Sequence, residues 1–226
     1  MNLKFETINF EIIENIAIIR LNRPNSYNSL NAKMAKELLE ISYECDTNKN
    51  IRAIILTGEG DKAFCAGGDL KSFHETGNVA KHLKMVTHDL HGAITKFSRM
   101  NSPLIVAVNG VAAGAGLSFV GFADLAIATS SATFVSAYTK AGLTPDGSSS
   151  YYLPRIIGIR KYLELVMTNK VLSSEEALAW GLLNKVYDNK KFWSETLKLA
   201  ENLSKGPTLA YGKTKRLIHN SLNSTL

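Results

Sequence analysis

The sequence predicts an α/β fold built on mainly parallel sheets and followed by a helical C-terminal region. Three observations lead there. Nearly continuous apolar runs recur at 52–57 (RAIILT), 104–108 (LIVAV) and 124–128 (DLAIA), the pattern of strands covered on both faces. Helix-like stretches precede these runs, so strands and helices alternate and the connections read as βαβ crossovers. The 226 residues suffice for one domain with a buried core.

The elements follow in order. Residues 5–12 and 16–21 are β-rich runs on either side of Glu14-Asn15 and read as a hairpin. Pro24, which lacks a donor and fixes φ, stops the second strand in Arg23-Pro24-Asn25. Asn31 is placed to cap a helix reaching about Cys45, with Met34, Leu38 and Ile41 on one face. Residues 79–100 form a long helix ahead of the strand at 104–108, and 148–157 form another. Ser173 and Glu176 make a capping box opening SSEEALAWGL. Two last helices, 192–203 and 208–221, flank Gly206-Pro207. With no linker, low-complexity stretch or internal repeat, residues 1–226 read as one domain, its core about 1–190 and its helical part about 191–226.

Composition narrows the function. Apolar residues make up 45% and charged residues 20%, ordinary for a soluble globular protein. The net charge of +6 suits an anionic small ligand. No Lys/Arg block or basic-aromatic stripe is present, so nucleic acid is not the expected partner. Cys45 and Cys65 are too few for a disulfide framework, and no CxxC or Cys/His cluster points to a metal. The N-terminus lacks a signal-peptide pattern, and no apolar run approaches the roughly 20 residues that span a bilayer, so a cytoplasmic location without membrane contact is expected.

Two glycine-rich segments stand out. Ala63-Phe64-Cys65-Ala66-Gly67-Gly68-Asp69-Leu70 follows the strand at 52–57, and Asn109-Gly110-Val111-Ala112-Ala113-Gly114-Ala115-Gly116 follows that at 104–108. Both lie at carboxyl ends of strands, where open α/β sheets bind ligands. Neither is a P-loop, because no Gly-Lys-Ser/Thr follows, and neither fits the dinucleotide fingerprint. One reading is tight turns and close helix packing alone. The other is a pair of N–H donors aimed at one oxygen, an oxyanion hole in which each donor contributes about 3–4 kcal/mol of transition-state stabilisation.

Five stretches then carry a family resemblance: RLNRPNSYNSLN, RAIILTGEGDKAFCAGGDL, SPLIVAVNGVAAGAGLSF, ADLAIATSSATFVSAYTKAGLTPDGSSSYYLPRIIG and LSSEEALAWGLLNKVY. Their order and spacing, from about residue 5 to 215, resemble the crotonase (enoyl-CoA hydratase/isomerase) superfamily. The resemblance implies a spiral of ββα turns, an acyl-CoA thioester substrate whose coenzyme A needs no separate cofactor, and a homotrimer or hexamer. It places the oxyanion donors on the N–H groups of Gly68 and Ala115. It places Cys65, Ala66, Asp69 and Leu70 beside the adenine and pantetheine of coenzyme A. Asp69 also suits a cap of a short following helix, and Cys65, with no identifiable histidine partner, a small wall residue. Lys213 falls where a lysine meets the coenzyme A phosphates across a subunit boundary, or is simply solvated. Family members usually continue some tens of residues further, with helices that close the acyl pocket and join subunits. The resemblance therefore implies a shortened helical end.

The acid–base residues separate the chemistries. The two glutamates of family hydratases fall on Ser118 and Tyr138, neither of which forms a carboxylate, so two-glutamate hydration is not expected. Asp146, in GLTPDG, resembles the single proton-shuttling aspartate of the isomerase branch. By local chemistry alone it would cap the helix at 148–157. A 4-chlorobenzoyl-CoA dehalogenase-like branch carries an aspartate at Asp146, a histidine at His91 and a tryptophan at Tyr138. Here the first two match, although His82 and His88 lie near His91. There the aspartate is a nucleophile. A catalytically inactive CoA- or RNA-binding homologue is a further alternative, suggested by Ser118 and Tyr138 and opposed by the Gly68 and Ala115 turns.

Overall fold

The computed structural model describes residues 4–74, 77–221, 224 and 225. It opens with the hairpin β1 (Ile8–Ile13) and β2 (Ile16–Leu21), paired from Ile13↔Ile16 to Ile8↔Leu21. β1 starts later than the apolar run suggests. The N–H groups of Glu6 and Thr7 donate to the Glu37 carboxylate at 2.9 and 3.0 Å instead of a strand partner. Asn31 caps α1 (Ala32–Thr47) as expected, its Oδ1 accepting from the Met34 N–H at 2.9 Å.

A ββα unit then occurs three times. β3 (Ala53–Gly58) and β4 (Ala63–Cys65) lead into α2 (Leu70–His74) and α3 (Val79–Arg99). β5 (Leu104–Val108) and β6 (Val111–Ala113) lead into α4 (Ala115–Phe122). β7 (Leu125–Thr129) and β8 (Thr133–Val135) lead into α5 (Ser149–Ile157). The first strand of each unit joins a six-stranded sheet, order β1-β2-β3-β5-β7-β10, parallel from β2 onward. The second joins a four-stranded sheet, order β4-β6-β8-β9, in which β8 and β9 are antiparallel. The repeat resides in strand pairing rather than in side chains, so no sequence repeat accompanies it.

The remaining elements are α6 (Ile159–Thr168), β9 (Leu172–Ser173), α7 (Ser174–Ala179), β10 (Lys185–Tyr187), α8 (Asn189–Lys205) and α9 (Thr208–Ser221). The capping box forms at α7, with Ser173 Oγ accepting from the Glu176 N–H at 3.1 Å and Glu176 accepting from the Ser173 N–H at 3.0 Å. β7 begins one residue after Asp124, whose carboxylate makes two bonds of its own. Its Oδ2 accepts from the Leu104 N–H at 2.8 Å and from Lys215 Nζ at 2.7 Å, tying α9 to the sheet.

The large sheet is covered on both faces, which explains its unbroken apolar strands. One face packs on α1 and α3 through Ile54, Leu56, Leu38, Ile41 and Phe97. The other packs on α8, where Phe192 and Ala200 meet Ile18, Ile55, Ile105 and Ile127. The helix just past residue 190 is thus a layer of the core. Among the described residues, no helix is long and apolar enough to cross a membrane, and no group of three or more His, Cys, Asp or Glu could hold a metal ion.

Candidate active site

The site starts from the small sheet. β4 and β6 are parallel neighbours, Cys65 opposite Ala112, so the turns that follow them emerge side by side. Gly67 has φ 101° and Gly114 φ 51°, a region that favours glycine. A Cβ on Gly67 would lie 3.2 Å from the Ala113 carbonyl oxygen, and one on Gly114 would lie 3.4 Å from Gly67 Cα. The turns pack backbone against backbone.

That packing leaves two donors available. The Leu30 N–H donates to Gly67 O at 2.7 Å and the Asp69 N–H to Leu30 O at 2.8 Å, a bridge that passes over the Gly68 N–H. Ala115 is the first residue of α4, so its N–H precedes the helical ladder. Neither N–H donates to an acceptor among the described residues. Gly68 and Ala115 line one cavity of about 340 Å³.

The opposite wall is α3, through Leu83, Val86, Thr87 and Leu90. Their spacing of three and four is one helical face, the signal in the sequence that would have marked this wall. The third wall is the segment from Ala137 to Asp146. Asp146 Oδ1 lies 2.8 Å from His91 Nε2, with 38% of the aspartate and 46% of the histidine side chain exposed. An ionised carboxylate only accepts, so this contact sets the proton on Nε2. His82 instead stacks at a tilt on Phe73, 5.7 Å between ring centres. The capping role for Asp146 does not hold: α5 is entered through Ser148, which is left-handed and makes no side-chain cap bond, and Ser149 N–H donates to the Asp146 backbone carbonyl.

Ser118 and Tyr138 meet, their hydroxyl oxygens 3.2 Å apart. Burial pushes the Tyr138 phenol up to about 12; the Ser118 bond lowers it and the Asp146 charge raises it. Tyr138 is therefore a neutral phenol in the cavity wall at neutral pH.

The expected coenzyme A neighbours divide. Ala66 and Leu70 line the cavity. Cys65 does not stand there as a wall residue. Its side chain is fully buried in the core, as are those of Ala63 and Phe64 on the same strand. That burial pushes its thiol up to about 12, only partly offset by a backbone hydrogen bond with Gly67. Asp69 lies outside the cavity lining. Its Oδ1 accepts from the Ser72 N–H at 3.2 Å, capping α2, and its Oδ2 from Arg23 at 2.7 Å. Partial burial raises this carboxyl, but the Arg23 guanidinium and the Ser72 N–H together hold it below its ordinary range. Lys213 is exposed on α9 and is not part of the cavity lining.

The comparisons bear on this site. The enoyl-CoA hydratase/isomerase family model matches residues 11–226. The 4-chlorobenzoyl coenzyme A dehalogenase-2 of an Arthrobacter species is 35% identical over 221 residues, covering 97% of this chain and 80% of that protein. The 1,2-epoxyphenylacetyl-CoA isomerase of Escherichia coli K12 is 34% identical over 223 residues, covering 98% and 85%. A crystal structure of an enoyl-CoA hydratase from Bacillus anthracis superposes with a TM-score of 0.92 at 28% identity, covering 97% and 85%.

Proposed function

This chain belongs to the enoyl-CoA hydratase/isomerase family, and we propose that within it the chain is an isomerase-type enzyme that moves a double bond in an acyl-CoA thioester. One observation carries the reading. Asp146 is the one carboxylate among the described cavity-lining residues, while the two hydratase positions hold Ser118 and Tyr138, bonded to each other.

In this reading the thioester oxygen accepts from the N–H groups of Gly68 and Ala115. Asp146 takes a proton from the α-carbon of a 3-enoyl thioester. The electron pair of that C–H bond spreads into the carbonyl, giving an enolate whose oxygen the two donors stabilise by about 3–4 kcal/mol each. Asp146 returns the proton to the γ-carbon, and the double bond comes to rest beside the carbonyl. The reading requires no group beyond the substrate's own coenzyme A. Asp146→Ala should still bind acyl-CoA while turnover of a 3-enoyl-CoA falls about 10²- to 10⁴-fold, the usual value of a positioned acid–base. A wild-type rate in that variant ends the reading.

A second reading rests on the 2.8 Å contact of His91 with Asp146. There Asp146 attacks the chlorine-bearing ring carbon of 4-chlorobenzoyl-CoA, chloride leaves, and water activated by His91 cleaves the aryl ester. Sustained chloride release from that thioester, cut by His91→Gln to a single burst of about one equivalent per site, would favour it. No chloride release by the wild-type protein removes it.

A further inference from the structure

Ser118 is fully buried in α4, and its hydroxyl reaches three parts of the cavity wall. Its Oγ lies 3.2 Å from Gly114 O, 2.9 Å from Asp146 O and 3.2 Å from the Tyr138 hydroxyl. A buried helical serine ordinarily bonds back to the carbonyl four residues earlier, here Gly114. The distances rank the contacts otherwise. The shorter one crosses to Asp146, and a hydroxyl has a single proton to give. Ser118 therefore donates chiefly to the Asp146 carbonyl and has lone pairs free to accept from Tyr138. Gly147 packs directly on it: a Cβ there would lie 2.8 Å from Ser118 Cβ and 3.0 Å from Oγ. The turn that carries Asp146 is thus seated on Ser118 by a hydrogen bond and by backbone contact at once.

We propose that Ser118 is a positioning residue that locks the Asp146 turn to the helix bearing the Ala115 N–H, fixing the carboxylate relative to the oxyanion donors. This rests on Asp146 being the acting carboxylate. Ser118 touches no substrate in this arrangement and acts only through Asp146. The side chain is three residues into the helix that Ala115 begins, so the spacing from oxyanion donor to carboxylate is set across one helical turn and one hydrogen bond. Misplacing a reacting group by about 1 Å can cost about 100-fold in rate.

The test is a double-mutant cycle on 3-enoyl-CoA isomerisation using Ser118→Ala, Asp146→Ala and the pair. Ser118→Ala should lower kcat about 10- to 100-fold with KM little changed. In the Asp146→Ala background it should change the residual rate less than about twofold, because its route of action is already gone. A purely structural role would lower both backgrounds alike, and that outcome overturns the proposal. So does a wild-type kcat in Ser118→Ala alongside an inactive Asp146→Ala, which leaves the functional reading standing. An active Asp146→Ala instead defeats that reading itself. Should Ser118→Ala fail to fold, Ser118→Cys fills the site with a weak donor and carries the same cycle, with the same two outcomes.

Discussion

The strands of the six-stranded sheet run three to six residues and lie between helical layers, whereas those of the four-stranded sheet run two or three, and two of them, β4 and β6, end in the turns of Gly68 and Ala115. The large sheet is held by side chains such as Ile54, Ile55 and Ile105, all fully buried. The small sheet also buries Phe64 and Phe134 in the core, but at the site it contributes backbone: two glycines at positive φ and two N–H groups left out of any ladder. Apolar burial is therefore shared by both strands, while the site draws on the second strand of each ββα unit. That second strand ends where the substrate is expected.

This contrast can be broken most directly at its stable half. Ile55→Ala removes a fully buried side chain between the sheet and α8, and should cost about 2–5 kcal/mol in urea denaturation while leaving kcat of the folded protein unchanged. A lowered kcat at unchanged stability would reverse the assignment. Gly67→Ala should do the opposite. Left-handed backbone costs a non-glycine residue about 1–2 kcal/mol, but displacement of the Gly68 donor should lower kcat about 100- to 1000-fold. Full activity in this variant would show that the turn is only a turn. The smallest effect belongs to Asp69, which holds the loop after β4 through Arg23. Its carboxyl is lowered in the folded state, so its contribution is complete above its ordinary value of 3.8 and is lost as pH falls through the folded value. The stability gap between wild type and Asp69→Asn should hold from neutral pH to about pH 4 and close below it, as read by thermal melts. A gap that does not close would mean that charge is not what Asp69 supplies.

How far the sequence could be read follows the same division. The strand Leu104–Val108 and the helix Thr208–Ser221 lie where the sequence puts them, because a continuous apolar run and a Gly-Pro break are strong local signals. β1 starts later than its apolar run because a carboxylate from α1, 30 residues away, takes the N–H groups ahead of it. β4, β6, β8 and β9 are too short to show a period and exist through one another. The glycine-rich segments and the Pro-Asp-Gly turn drew attention to Gly68, Ala115 and Asp146, and these three residues line one cavity. Cys65 adjoins the glycine turn in sequence yet is buried in the core, because neighbourhood along the chain does not fix where a side chain packs.

The sequence by itself determined the alternation of elements, the apolar strands, the capping residues and the two glycine turns, since each depends on residues a few positions apart. Only the tertiary structure decided which histidine meets Asp146, across 55 positions, and that Ser118 and Tyr138 bond to each other. Such contacts arise where separate turns of the spiral stack, and no local pattern encodes the distance between them.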